Sequence, residues 1–97
     1  MIYIVDIDNT ICKTENSDYN NSQPYYDRIK KINELYDAGN TIIYWTARGM
    51  TSGIDWTDKT HSQLSAWGCR YDKLQLKKPS YDVWIDDKAF NSEDYFK

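Results

Sequence analysis

The 97-residue sequence predicts an α/β fold in which helices flank a parallel sheet. Short apolar segments rich in β-branched and aromatic residues alternate along the chain with segments whose apolar residues recur at helical spacing. The clearest apolar segments also end in acidic or hydroxyl residues, and parallel α/β sheets bind their ligands beyond the carboxyl ends of the strands. A chain of this length is expected to form a single domain, 1–97.

The first half of the chain predicts one strand, one loop and one helix. Residues 2–5 (IYIV) are typical of a strand buried on both faces, and the polar stretch ICKTENSDYNNSQ that begins at Ile11 has loop composition. Pro24 suits a first helical turn, with Ser22 or Gln23 as the cap. The inward face of this helix is expected to carry Ile29, Ile32, Leu35 and Tyr36, with Gly39 at its end.

The second half repeats this alternation. TIIYW (41–45) predicts a strand, and a loop with two glycines follows it. Asp55 and Asp58 resemble a capped helix start, and Gly68 ends that helix after the inward-facing Leu64 and Trp67. KLQL (73–76) predicts a weak strand and YDVWI (81–85) a better one. The core is expected to include Trp45, Trp67 and Trp84.

Composition narrows the class of function. The chain is 40% hydrophobic, and its formal charge of −3 with no basic stripe argues against nucleic acid as a main partner. No apolar run approaches the ~20 residues that span a bilayer, and no signal peptide precedes the first strand, so we expect a cytoplasmic protein without membrane contact. Cys12 and Cys69 lack metal or redox spacing and are expected to be reduced thiols, with a disulfide as the alternative.

Acidic residues follow the first and the last predicted strands. Asp6 and Asp8 come after the first, Thr46 after the second, and Asp86 and Asp87 after the last. Four carboxylates at one sheet edge repel one another unless some are protonated or a cation lies among them. Hard oxygen donors without His or Cys select Mg²⁺ rather than Zn²⁺. The sequence therefore predicts magnesium at this edge.

A calcium loop is the alternative for the same acidic residues, because Asp6-x-Asp8-x-Thr10 begins like an EF-hand. The sixth position of such a loop is Gly, whereas this chain has Ile11. The twelfth is Glu, whereas this chain has Ser17. The segment lacks both the turn residue and the bidentate ligand, which favours the magnesium site.

Four motifs in order resemble those of the haloacid dehalogenase (HAD) superfamily, whose members are mostly phosphatases. DIDNT resembles the DxDxT signature, Thr46 in YWTAR the second motif, Lys78 in KKPSYD the third, and IDD (85–87) the acidic fourth. The resemblance spans residues 2–88 and implies a compact Rossmann-like HAD sheet. The segments WTARG, GIDWT and KPSYD are similar to segments of very small HAD phosphatases that are associated with capsule or lipopolysaccharide sugar metabolism.

The resemblance implies a role for each motif residue. Asp6 would be the nucleophile that forms an aspartyl-phosphate, and Asp8 the general acid and base. Thr46 and Lys78 would hold phosphate oxygens, with Ala47 beside them at the substrate. The expected ligands of Mg²⁺ are Asp6, the carbonyl of Asp8, Asp86 and Asp87. The intervals between motifs leave no room for a cap domain, so the site is expected to be open unless a second subunit of a homo-oligomer covers it.

Several alternatives remain at the level of single residues. Lys77 competes with Lys78 as the phosphate lysine. Arg48 is either a solvated loop residue or, beside Thr46, a ligand of a substrate anion. Tyr19 and Trp56 lie in or beside loops, from which they could touch a substrate.

Alternatives also remain for the function. A small phosphorylated metabolite, above all a sugar phosphate, is the expected substrate, and a nucleotide or polynucleotide end is the second choice. A receiver-like signalling module also uses Asp, Thr and Lys around Mg²⁺, but its acidic pair follows the first strand and its phosphorylated Asp a later one. A binding module without turnover is the third choice, and the presence of every motif residue argues against it.

Overall fold

The computed structural model describes residues 1–97 and contains a three-stranded sheet, a two-stranded hairpin and three helices. The strands are β1 (Ile2–Val5), β2 (Cys12–Lys13), β3 (Gln23–Pro24), β4 (Thr41–Trp45) and β5 (Lys73–Gln75). The helices are α1 (Tyr26–Asp37), α2 (Thr57–Ala66) and α3 (Ser92–Tyr95), with a 3-10 turn at Tyr19–Asn21.

The sheet has the strand order β1-β4-β5, and both pairs are parallel. Each β–α–β connection runs through one helix, as parallel pairing requires. All three carboxyl ends therefore lie at one edge of the sheet. Two backbone bonds beyond the strands continue this edge: the Thr46 N–H donates to the Gln75 carbonyl at 3.0 Å, and the Lys78 N–H donates to the Thr46 carbonyl at 3.1 Å.

Both long helices contribute to one core. The parallel register places Tyr3 beside Ile42 and Val5 beside Tyr44, so these side chains share a sheet face. The hydrophobic cluster on that face contains Val5, Ile7, Ile11, Cys12, Ile29, Ile32, Ile42, Tyr44 and Leu64. The predicted fold class is thus confirmed: a compact, Rossmann-like α/β fold with a parallel sheet flanked by helices and without a cap domain. No helix is long and apolar enough to cross a membrane.

The prediction that residues 2–5 are buried on both faces was wrong. Ile2 and Ile4 are 71% and 61% exposed, whereas Val5 is buried. Ile2 and Ile4 alternate with Tyr3 and Val5 and therefore project from the opposite face of the sheet, whereas the helix residues of the core pack on the Val5 face. An apolar run does not show whether a strand is covered on both faces or on one.

The prediction of a strand at 81–85 was also wrong, as was the assignment of Trp84 to the core. Val83 and Ile85 are 74% and 93% exposed, and the segment pairs with no strand. Aromatic packing holds it instead, because the Trp84 ring lies 6.0 Å from the Trp45 ring and 5.0 Å from the Tyr81 ring. Alternation along a segment predicts a strand only where a neighbouring edge supplies the hydrogen bonds.

The first helix begins later than predicted. Pro24 pairs with Cys12 in the small hairpin of β2 and β3, and α1 starts at Tyr26, so neither Ser22 nor Gln23 is its cap. Tyr25 precedes the helix, and its N–H donates to the Ile11 carbonyl at 2.8 Å. The fixed φ of proline suits an edge strand as well as a helix start, and the hairpin takes this residue.

Candidate active site

The tip of β1 folds into a tight turn that fixes both aspartates of the first motif. The N–H groups of Thr10 and Ile11 both donate to the Ile7 carbonyl, at 3.1 and 3.0 Å, while Ile7 is fully buried. Asn9 takes a positive φ of 62°, a conformation that asparagine tolerates better than most residues. The turn brings the Thr10 hydroxyl back to Asp6, to which it donates at 3.1 Å.

Asp6 is paired with Lys78. The amine of Lys78 lies 3.4 Å from the Asp6 carboxylate, and the lysine side chain is only 13% exposed. Burial raises the pKa of Asp6, although the Lys78 charge and the Thr10 hydrogen bond act in the opposite direction. Of the two candidate lysines, Lys78 is the one that meets this carboxylate, whereas Lys77 is exposed.

Lys78 is held on its other side by aromatic rings. Its amine lies 5.3 Å from the centre of the Tyr81 ring and 5.6 Å from that of Trp84. The faces of such rings attract an ammonium group. The segment after β5 therefore reaches the site through this lysine, even though it adds no strand to the sheet.

Asp8 is paired with Arg48 and not with a lysine. The arginine donates to one carboxylate oxygen, Oδ1, through Nη2 at 2.8 Å and to the other, Oδ2, through Nε at 3.0 Å. The Thr14 hydroxyl donates to Oδ1 at 2.6 Å and is itself 2.6 Å from the Ser22 hydroxyl. Asp8 is thus fixed by a two-point ion pair and a hydroxyl pair from the hairpin.

Arg48 is buried, with a fully covered side chain. Its Nη1 donates to the Gln63 side-chain oxygen at 2.6 Å and to the Thr60 hydroxyl at 3.3 Å, both on α2. Its guanidinium carbon lies 4.7 Å from the centre of the Tyr19 ring. In this arrangement Arg48 serves neither as a solvated loop residue nor as an open anion site.

These two ion pairs explain how the fold can hold two aspartates so close together. Asp6 and Asp8 each have one cationic partner in the chain, Lys78 and Arg48. Two carboxylates are thereby balanced by two cations, which lowers the repulsion that the sequence alone implies.

Residues 46–47 carry two polar hydrogens that meet no acceptor in the chain. The Thr46 side chain is buried, and its oxygen accepts from the Arg48 N–H at 3.2 Å, while its own hydroxyl proton has no acceptor. The backbone N–H of Ala47 has none either. Both donors lie just beyond β4, next to the end of β1, where they could bind an anion's oxygens.

Asp86 and Asp87 lie apart from the first aspartates. Both are exposed, and Asp86 accepts from the Lys88 N–H at 2.8 Å and from the Trp84 ring nitrogen at 3.3 Å. The Lys88 N–H is the main cause of a lowered pKa of Asp86. No three His, Cys, Asp or Glu side chains lie close enough together to hold a metal ion. The predicted donors suit Mg²⁺ by chemistry but do not converge here.

Four residues of this site were missed by the sequence analysis: Thr14, Ser22, Thr60 and Gln63. Thr14 and Ser22 lie in the polar stretch before α1, and only the hairpin register Cys12↔Pro24 brings them together beneath Asp8. Gln63 lies three residues after Thr60 on one face of α2, a spacing that matches many exposed helical faces. No local signal distinguishes these side chains from solvated ones.

Comparisons with known proteins support the fold. No family model matches the chain, and no curated protein matches it significantly. An MCSG target from Vibrio cholerae, known from a crystal structure, is 27% identical, with a TM-score of 0.89, over 98% of this chain and 86% of that one. The D,D-heptose 1,7-bisphosphate phosphatase from B. bronchiseptica, crystallised with magnesium and phosphate, is 19% identical, with a TM-score of 0.59, over 91% of this chain and 53% of that one. The chain is therefore similar in fold to the Vibrio cholerae protein and, more distantly, to this bisphosphate phosphatase.

Proposed function

We propose that the chain is a Mg²⁺-dependent phosphomonoesterase that acts on a small phosphorylated metabolite, with a sugar phosphate as the favoured substrate. One observation carries the proposal: two aspartates at the carboxyl edge of a parallel sheet have separate cationic partners, Lys78 for Asp6 and Arg48 for Asp8. Two acidic groups in unlike surroundings suit two different chemical roles.

Asp6 acts as the nucleophile. One of its carboxylate oxygens attacks phosphorus, the bond between phosphorus and the ester oxygen breaks, and an aspartyl-phosphate forms. The side chain suits this role because it is 36% exposed, while Thr10 and Lys78 hold its two oxygens in place. Substrate can therefore approach a carboxylate whose orientation is already set.

Asp8 moves the protons of both half-reactions. It gives a proton to the departing ester oxygen, which leaves as an alcohol. As a carboxylate it then takes a proton from the water that attacks phosphorus, the bond between phosphorus and Asp6 breaks, and inorganic phosphate is released. The sum of the two steps is the hydrolysis of one ester by one water.

Three groups of the chain hold the phosphoryl group. The Thr46 hydroxyl and the Ala47 N–H are free donors, and the Lys78 amine can turn from Asp6 to a phosphate oxygen. Such donors stabilise the charge that spreads over the equatorial oxygens in the transition state. A phosphate bound here would face Asp6.

Magnesium is proposed as the cofactor. Its ligands would be Asp6 and the carbonyl of Asp8, together with Asp86 and Asp87, which would have to move toward them from the exposed segment after β5. When bound, Mg²⁺ supplies positive charge that favours the ionised form of Asp6 and neutralises the phosphate. The donors are hard oxygens, and the neighbouring fold from B. bronchiseptica was crystallised with magnesium. Asp86 is exposed, and each of its oxygens accepts one hydrogen bond, which leaves a lone pair on each for a cation.

A sugar phosphate is favoured for two reasons. The similar fold from B. bronchiseptica belongs to a heptose bisphosphate phosphatase. The aromatic rings of Tyr19 and Trp56, 5.0 Å apart, border the Arg48 side of the site and offer an apolar surface to a sugar ring.

Hydrolysis of p-nitrophenyl phosphate, with Mg²⁺ and with a chelator, tests this proposal in wild type and Asp6→Asn. We expect turnover that needs Mg²⁺ and falls by about 10⁴-fold or more in Asp6→Asn, because the nucleophile is lost. Asp37→Asn is the matched control, since Asp37 forms an exposed ion pair with Arg70 on another part of the surface.

Two outcomes would contradict the assignment. Turnover retained by Asp6→Asn would remove Asp6 as the nucleophile. A phosphorylated wild-type protein that never releases phosphate would identify a signalling acceptor and not a phosphatase. A screen of sugar phosphates against nucleotides then ranks the two substrate classes by kcat/KM.

A further inference from the structure

We propose that Arg48 is a positioning residue that orients the carboxyl group of Asp8, so that its Oδ2 atom carries the proton exchanged with substrate and water. This inference rests on the proposed phosphatase function. It assigns Arg48 to the proton-transfer half of the site, not to the binding of the substrate anion.

The hydrogen bonds of the two Asp8 oxygens are unequal. Oδ1 accepts from the Thr14 hydroxyl at 2.6 Å, from Arg48 Nη2 at 2.8 Å and from Arg48 Nε at 3.3 Å, and the Cys12 thiol lies 3.8 Å away. Oδ2 accepts from Arg48 Nε alone, at 3.0 Å. A carboxylate oxygen has two lone pairs, so Oδ1 is saturated and Oδ2 keeps one free. Oδ2 is therefore the oxygen that can bind and release a proton.

The far side of Arg48 is fixed as well. Gln63 and Thr60 accept from Nη1, and the amide nitrogen of Gln63 donates in turn to the Tyr19 carbonyl. The guanidinium is fully covered, with the Tyr19 ring 4.7 Å from its centre. A buried guanidinium with hydrogen-bond partners on both sides has one orientation. Its bonds to Asp8 fix the orientation of that carboxyl group in turn.

A lysine at this position would keep the charge but not the geometry. A single ammonium nitrogen cannot bond to both Asp8 oxygens and to Gln63 as the guanidinium does, so the Asp8 carboxyl would be free to rotate. Proton donation matters most when the departing oxygen is a poor leaving group, as in an alkyl or sugar phosphate. A p-nitrophenolate departs readily without a proton.

The test therefore compares two esters in Arg48→Lys. We expect kcat for an alkyl phosphate such as glycerol phosphate to fall by about 100-fold, and kcat for p-nitrophenyl phosphate by less than about 5-fold. KM should stay within about 2-fold for both, because the phosphate donors are untouched. Arg70→Lys is the matched control, since Arg70 is half-exposed and pairs with Asp37.

Gln63→Met supplies a second variant that keeps both charges of the pair. Loss of the far-side acceptor should lower kcat for the alkyl ester several-fold and leave the aryl ester within about 2-fold. This variant decides the question if Arg48→Lys does not fold, as judged by circular dichroism.

Other outcomes would overturn the inference. Equal losses on both esters, or a rise in KM with kcat unchanged, would make Arg48 a ligand of the substrate phosphate. Wild-type rates of Arg48→Lys on both esters would show that the contacts of Arg48 with Asp8 do not affect turnover. A wild-type protein that hydrolyses neither ester would defeat the proposed function and this inference together, and that result is visible without any variant.

Discussion

Asp8 and Asp86 are both assigned to one metal site by their sequence motifs, yet their surroundings differ in almost every respect. Asp8 lies at the tip of β1, next to the fully buried Ile7, and binds a buried arginine. Asp86 is exposed and bonds only to Trp84 and Lys88, its near neighbours in sequence. One half of the site is fixed by the core, and the other by local contacts.

The difference follows from the sheet. Asp8 is positioned by the pairing of β1 with β4, which is backed by the hydrophobic cluster. The segment that leads to Asp86 pairs with no strand and is anchored by Trp84 against Trp45. A side chain that directly follows a paired strand is held as rigidly as the sheet, whereas one in a segment without strand pairing is not. We expect the two regions to respond differently to mutation, metal and pH.

The largest difference is expected between Asp8→Asn and Asp86→Asn, which remove the same charge. Asp8→Asn should lower turnover by about 10³-fold and reduce the free energy of unfolding by about 2 kcal/mol, because the buried Arg48 loses its anion. That loss is smaller than for a fully buried pair, since the Asp8 side chain is 21% exposed. Asp86→Asn should lower the unfolding temperature only slightly, because its hydrogen bonds are exposed.

Thermal unfolding and steady-state kinetics of both variants measure this contrast. A drop of about 10 °C is expected for Asp8→Asn alone, given the size of the chain. Equal unfolding temperatures for the two variants would mean that the Arg48–Asp8 pair adds nothing to stability.

The next effect concerns the metal requirement. Asp86→Ala should raise the Mg²⁺ concentration for half-maximal turnover by about tenfold or more, because a proposed ligand is lost. Asp82→Ala is the matched control, as Asp82 is also exposed and lies in the same segment. An unchanged magnesium titration would remove Asp86 from the ligand set. An equal shift in Asp82→Ala would reduce the effect to general loss of negative charge.

The sequence predicted the parts of this molecule that depend on local pattern. The strands at 2–5 and 41–45, the two long helices and their order are all present. Because parallel strands end at one edge, Asp6 and Thr46 could be assigned to that edge without coordinates. The spacing of the DIDNT turn also brings Thr10 back to Asp6.

Other features depend on contacts distant in sequence and could not be predicted. Residues 81–85 form a strand only if they lie beside a free sheet edge, and the alternation of apolar and polar residues does not show whether they do. The partner of Asp8 was open because Arg48 lies 40 positions away, and only the packing of α2 decides whether it is solvated or buried. The four missed residues belong to the same class, since tertiary structure brings each to Asp8 or Arg48, Ser22 through Thr14.

The smallest effect is expected in the pH dependence of stability, to which Asp6 and Asp86 contribute with opposite sign. Burial raises the pKa of Asp6 above its ordinary value of 3.8, so its contribution to stability is present below pH 3.8 and is lost as pH rises through the raised pKa. Hydrogen bonds lower the pKa of Asp86, so its contribution is present above pH 3.8 and is lost as pH falls through the lowered value.

Urea unfolding between pH 3 and 7, with chelator present, separates these contributions. Relative to wild type, Asp6→Asn should gain stability as pH rises above about 4, because the cost of ionising a buried carboxyl disappears. Asp86→Asn should lose a little stability at neutral pH and nothing at pH 3. If Asp6→Asn instead loses stability at neutral pH, the attraction between Asp6 and Lys78 outweighs the cost of burial, and the Asp6 half of the site is stabilised in the same way as the Asp8 half.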